Sequence, residues 1–130
     1  MKYAAFILLI AVISCSKSTT TEAKLSGSII GKWIQTAYLA DPGDGSGTWQ
    51  PDNTGSAYII FNEDSTAKSS GVPYFGELKF YHILSDSTLT LEYADGTTFP
   101  HMYKVEENTL TLTGGCIEAC GSRYKKAPTM

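Results

Sequence analysis

A chain of 130 residues has enough apolar material for one modest core and too little for two. Its 10 basic residues are outnumbered by 13 acidic ones, and no basic cluster is longer than Lys125-Lys126, so the positive surface that a nucleic-acid partner needs is missing. The 3 cysteines and 2 histidines stand at no zinc-ligand spacing, so the expectation is no metal and no cofactor.

At the start of the chain Lys2 precedes an apolar run from Ala4 to Ile13, about half of what a helix needs to cross a bilayer. The run ends in Val12-Ile13-Ser14-Cys15, a small residue before a cysteine, which is the order of a bacterial lipoprotein signal. We therefore expect residues 1–14 to be a cleaved leader and Cys15 to be the lipidated N-terminus. Loss of Lys2 makes the remainder still more acidic, so membrane attachment must come from acyl chains rather than from attraction to anionic headgroups. Residues 16–27 are small, polar and rich in Thr and Ser, a flexible tether. The division is thus residues 1–14 as signal, 15–28 as lipidated N-terminus and tether, and 29–130 as one folded domain. Ser16 rather than Asp follows the cysteine. The expected address is the outer membrane, facing the periplasm, with surface exposure as the alternative.

From Gly31 onward strands and tight turns alternate. Trp33, Gln35, Ala37 and Leu39 interleave with Ile34, Thr36 and Tyr38 as a first strand with both faces partly covered. Asp41 to Gly47 reads as a long surface loop, because Gly, Pro and Asp at that density cannot continue a strand. Further strands are expected at 57–61, 66–70, 78–84, 88–93, 97–105, 109–112 and 122–126. Asp95-Gly96 supplies the dipeptide that favours a tight hairpin. No stretch has the 3.6-residue period of an amphipathic helix. About eight strands in meander order predict an all-β fold, a small antiparallel up-and-down barrel, since closure removes the unpaired edges that an open sheet would leave. Leu89, Leu91, Tyr93, Tyr103, Val105, Leu110 and Leu112 form the expected inward set. At eight strands the interior is either filled by side chains or holds one small ligand.

Gly31-Lys32-Trp33 on the first strand and Arg123-Tyr124 on the last resemble the lipocalin superfamily, in which a Gly-x-Trp meets an arginine from the end of the barrel. Asp41 to Trp49 and a late cysteine pair followed by Arg-Tyr are similar to the short lipocalin-like lipoproteins of Bacteroidetes-type bacteria. The resemblance covers Gly31 to Lys126. It implies a lipocalin-like barrel whose floor is closed by Trp33 under Arg123, a cation–π contact worth roughly 0.5–2 kcal/mol. The chain lacks the C-terminal helix of full-length lipocalins and is shorter, so a retinoid-sized calyx is not implied.

Cys116 and Cys120 are an even pair close in sequence, and in an oxidising envelope they are expected to form a local disulfide. Asp41, Asp44 and Asp52 suggest hard-cation ligands, but beside Gly and Pro they read better as turn formers. Trp49, Tyr74 and Phe75 are the candidate rim residues for a ligand, because their surroundings read as loop. His82, alternating with Phe80 and Leu84, reads as an interior or rim residue, and His101, after Phe99-Pro100, as solvent-facing. No nucleophile, base or carboxylate pair assembles, so an enzyme is not expected. Two functions compete. The first is a tethered barrel that holds a small apolar or amphipathic ligand in the envelope, with any site at the end covered by Asp41 to Gly47. The alternative is a protein-interaction module, an inhibitor of a lysozyme-type hydrolase acting through a protruding loop, or a structural subunit of an envelope complex.

Overall fold

The computed structural model describes residues 27–71, 76–116 and 119–128. Cys15, Tyr74 and Phe75 lie outside the described residues, as does the cleavage site. Alternating apolar positions, cut at short intervals by turns, bury one face per strand only if successive strands pair. The elements are β1 (Gly31–Ala40), β2 (Thr48–Pro51), β3 (Tyr58–Phe61), β4 (Ala67–Ser70), β5 (Leu78–Ile83), β6 (Thr88–Tyr93), β7 (Thr98–Glu106), β8 (Thr109–Gly114) and β9 (Gly121–Lys126). Among the described residues there is no helix.

All pairings are antiparallel, and β9 returns to pair with β1, so the order is β4-β3-β1-β9-β8-β7-β6-β5. β2 and β3 share one flank of β1, β2 against Ala37 to Ala40 and β3 against Gly31 to Ile34. They are two halves of one interrupted stave, and the whole is an eight-stave up-and-down barrel. Its seam lies between β4 and β5, where Thr66 bridges Phe80 and the Tyr81 amide donates to the Ser65 carbonyl at 3.0 Å. The Tyr81 hydroxyl ties the same seam by donating to the Asn62 carbonyl at 2.8 Å. The barrel is therefore nearly closed.

A recurrent local device makes the turns. In Asp64-Ser65-Thr66 and Asp95-Gly96-Thr97 the aspartate Oδ1 accepts both the backbone N–H and the hydroxyl of the threonine two residues on. Asp52 does the same for Thr54. Such a carboxylate reverses the chain without a ladder bond. The inward set follows the alternation of the sequence: Leu89, Leu91, Tyr93, Val105, Leu110 and Leu112 are buried, and Tyr103 packs partly buried against them.

Three features depart from the sequence reading. β2 is a strand where a loop was expected; it is short, contains Pro51, and tolerates that proline because it pairs with β1 alone. A bulge between Gln35 and Ala37 turns over the alternation of β1. Gln35 stands opposite buried Tyr124, but Ala37 stands opposite exposed Arg123, so the inward sequence is Trp33, Gln35, Tyr38. A second bulge between Leu78 and Phe80 does the same on β5. It turns Phe80, His82 and Leu84 outward, and His82, expected inside or at the rim, lies exposed with Nε2 3.2 Å from Glu92 Oε2.

Candidate ligand cavity

The two ends of the barrel are closed differently. At the end where β1 begins, Trp33 is fully buried and its Nε1–H donates to the Ile29 carbonyl at 2.7 Å. Its register partner is Lys126, whose Nζ lies 5.1 Å from the indole centroid. This corrects the expected floor pair. Arg123 does not cover Trp33, because neighbouring Tyr124 points inward and a strand puts successive side chains on opposite faces. Arg123 instead lies on the outer surface with its guanidinium 3.9 Å from the centre of the Trp49 ring.

Trp49 is thereby corrected as well. It sits opposite Leu39 on β2 and reaches across the outside of β1 to Gly121, where an added Cβ would come within 3.0 Å of the indole. It does not line the interior space. The Asp41 to Gly47 loop does not line it either. That loop closes on itself: Asp41 Oδ1 accepts from the amides of Gly43 at 2.7 Å and Gly45 at 3.2 Å, and Oδ2 accepts from Gly47 at 3.2 Å. Asp44 Oδ1 accepts from the Ser46 amide at 2.9 Å. The carboxylates are turn braces, and among the described residues no group of three or more His, Cys, Asp or Glu side chains is placed to hold a metal ion.

At the end where β1 finishes, the interior opens into a cavity of about 160 Å³. Leu78, Leu91 and Leu112 contribute aliphatic wall, and Tyr38, Tyr93 and Phe99 contribute rings. Tyr93 and Phe99 meet edge to face with centroids 5.9 Å apart. Ser69 and Ser122 add hydroxyls, and Cys116 and Cys120 stand at the border. The two cysteines are within disulfide distance, their Cα atoms 6.3 Å apart, and the Gly114 amide donates to the Cys120 carbonyl at 3.2 Å.

His101 overturns its expected exposure. It is 4% exposed and lines the cavity, because β7 continues its alternation through Pro100. The proline fits there because the β8 ladder ends at the His101–Gly114 pair, so no donor is required of residue 100 on that side. Gly115, at φ 84°, lies against the imidazole: a Cβ there would clash with His101 Cε1. Burial pushes the His101 pKa down to about 4, and burial raises the phenols of Tyr93 and Tyr124. All three are neutral at pH 7.

No family model, curated protein or solved structure matches the chain.

Proposed function

We propose that this protein is a lipid-anchored, lipocalin-like binding module that holds a small apolar or amphipathic molecule in the cell envelope. The observation that carries the reading is the cavity beside His101, lined mainly by Leu, Tyr and Phe side chains at the end of a barrel whose other end is filled. A rigid barrel with space at one end is where small-ligand sites gather. The Val12-Ile13-Ser14-Cys15 sequence supports an acylated Cys15 and hence retention at the outer membrane, facing the periplasm. Protein extracted natively from envelopes should carry a small molecule detectable by mass spectrometry, and an Ser122→Phe variant, with the cavity narrowed, should not. Equal yields from both would refute the reading. Cys15→Ser should abolish fatty-acid labelling and move the protein out of the membrane fraction; unchanged labelling would remove the anchor.

One observation favours the interaction reading, in which a loop enters a lysozyme-type hydrolase. The Asp41 carboxylate braces three amides, so residues 42–46 form an exposed loop with a fixed shape. Under that reading Asp41→Ala would weaken hydrolase inhibition and leave cavity ligands bound.

A further inference from the structure

The cavity wall limits the size and the charge of what it can take. A volume of about 160 Å³ is below the ~300–1,000 Å³ of sites for drug-sized ligands, and close to an engineered core cavity of about 150 Å³ that takes up benzene. Fatty acids, bile acids and haem-sized rings exceed it. Among the described residues that line it there is no Lys, Arg, Asp or Glu. An ion entering would lose its hydration without meeting a counter-charge, the costliest way to bury a polar group. Tyr38, Tyr93 and Phe99 offer ring faces and edges, which reward an aromatic guest over an aliphatic one of equal size.

We propose that the cavity takes an uncharged single-ring aromatic molecule, a simple phenol or aromatic amide, with its ring among Leu91, Leu112 and Tyr93 and its polar group within reach of the wall hydroxyls. The inference rests on the binding reading above and narrows it. Neutral His101, Tyr93 and Tyr124 keep the described wall residues free of formal charge across the neutral pH range. The ligand is thus selected by what the wall lacks as much as by what it offers.

The test is a nuclear magnetic resonance titration of the full chain at pH 7, following the Leu112 methyls and the His101 ring. Probes are p-cresol and benzamide, the ions benzoate and benzylammonium as size-matched charged partners, and dodecanol as a long neutral chain. Saturable shifts with p-cresol and benzamide, and binding of both ions at least about 30-fold weaker, are the expected result. Ser122→Phe should abolish the p-cresol shifts while the Trp33 indole resonance, at the far end, stays in place. If that variant loses the Trp33 signal through unfolding, Ser69→Leu fills the opposite wall and must give the same loss of binding. Ions that bind as well as their neutral partners overturn the inference. Dodecanol binding without p-cresol or benzamide overturns it and leaves the broader binding reading standing. No saturable shift from any probe overturns both.

Discussion

The two ends of the barrel come from the same meander and the same few residue types, yet one is filled and the other holds a cavity. At the filled end a single large residue, Trp33, points inward from β1, and Ile29 folds beneath it to accept the indole N–H. Lys126 lays its chain over the ring and keeps its amine toward the Ser28 carbonyl, 3.5 Å away. At the other end Ser69, Ser122, Gly114 and Gly115 interrupt the larger residues of the wall. An eight-stave barrel has interior room for side chains or for a ligand. Here the small inward residues on β4, β8 and β9 at one end, against Trp33 at the other, assign one outcome to each end.

Truncating the filled end should have the largest effect. Trp33→Ala removes a fully buried indole and leaves Ile29 without its donor, a loss of ~3–5 kcal/mol on the scale of large-to-small core changes. That is a large share of the ~5–15 kcal/mol that holds a domain folded. Urea unfolding should show a midpoint far below wild type. A change under about 1 kcal/mol would mean that this end is not the packed one.

Acid should act at the cavity end. Above pH 6.5 His101 is neutral both folded and unfolded. As pH falls below that value the unfolded chain takes up a proton that the buried imidazole refuses until about pH 4. Unfolding thus binds protons, stability falls with falling pH across this window, and the contribution levels off below it. The shift corresponds to about 3 kcal/mol at most. Urea midpoints measured from pH 7 to pH 4 should decline more steeply in wild type than in His101→Phe, and the difference between the two isolates His101 from the exposed carboxylates. Parallel profiles would show that the imidazole is not held neutral.

The barrel and its turns were legible because they rest on local rules. Period-2 alternation at 88–93 and 109–112 and Asp-x-Thr sequences each need only their own residues. The errors occurred where pairing decides. The bulges at Gln35 to Ala37 and at Leu78 to Phe80 come from the register that β9 and β6 impose, and no residue type marks them. Once the second is missed, His82 is placed inside or at the rim. Thr48–Pro51 is only four residues long and ends in proline, too short to show a strand period, and β2 is held by β1 alone. His101 was recoverable, since Phe99, His101, Tyr103 and Val105 alternate without a break; the preceding proline diverted the reading toward a solvent-facing side chain. Arg123 was recoverable too, by counting from inward Tyr124. The anchor at Cys15 and the rim candidates Tyr74 and Phe75 fall outside the described residues.

Replacing Cys116 and Cys120 by serine should weaken only the cavity end. A loop closed by cysteines four apart in sequence contributes about 2 kcal/mol by restricting the unfolded chain. Hydrogen exchange should quicken at Gly114, whose amide is bonded to the Cys120 carbonyl, and remain slow at Trp33. Equal acceleration at both sites would mean that the ends are one cooperative unit, and would weaken the contrast between them.

The smallest effect belongs to the outer surface, where Arg123 stacks on Trp49 at 3.9 Å. An exposed cation–π contact is worth about 0.5–1 kcal/mol, so a double-mutant cycle of Arg123→Ala with Trp49→Leu, which removes the aromatic face, should return a coupling of that size. The pair spans β1 to reach β9, the two strands that close the barrel between its first and last elements. Because it lies on the face opposite the cavity, its removal should leave p-cresol affinity unchanged, and Trp49 fluorescence should not respond to a cavity ligand. A fall in affinity on Arg123→Ala alone would show that the outer contact sets the position of Tyr38 and Ser122 on the inner face. The two surfaces of the β1–β9 pair would then have to be treated as one site.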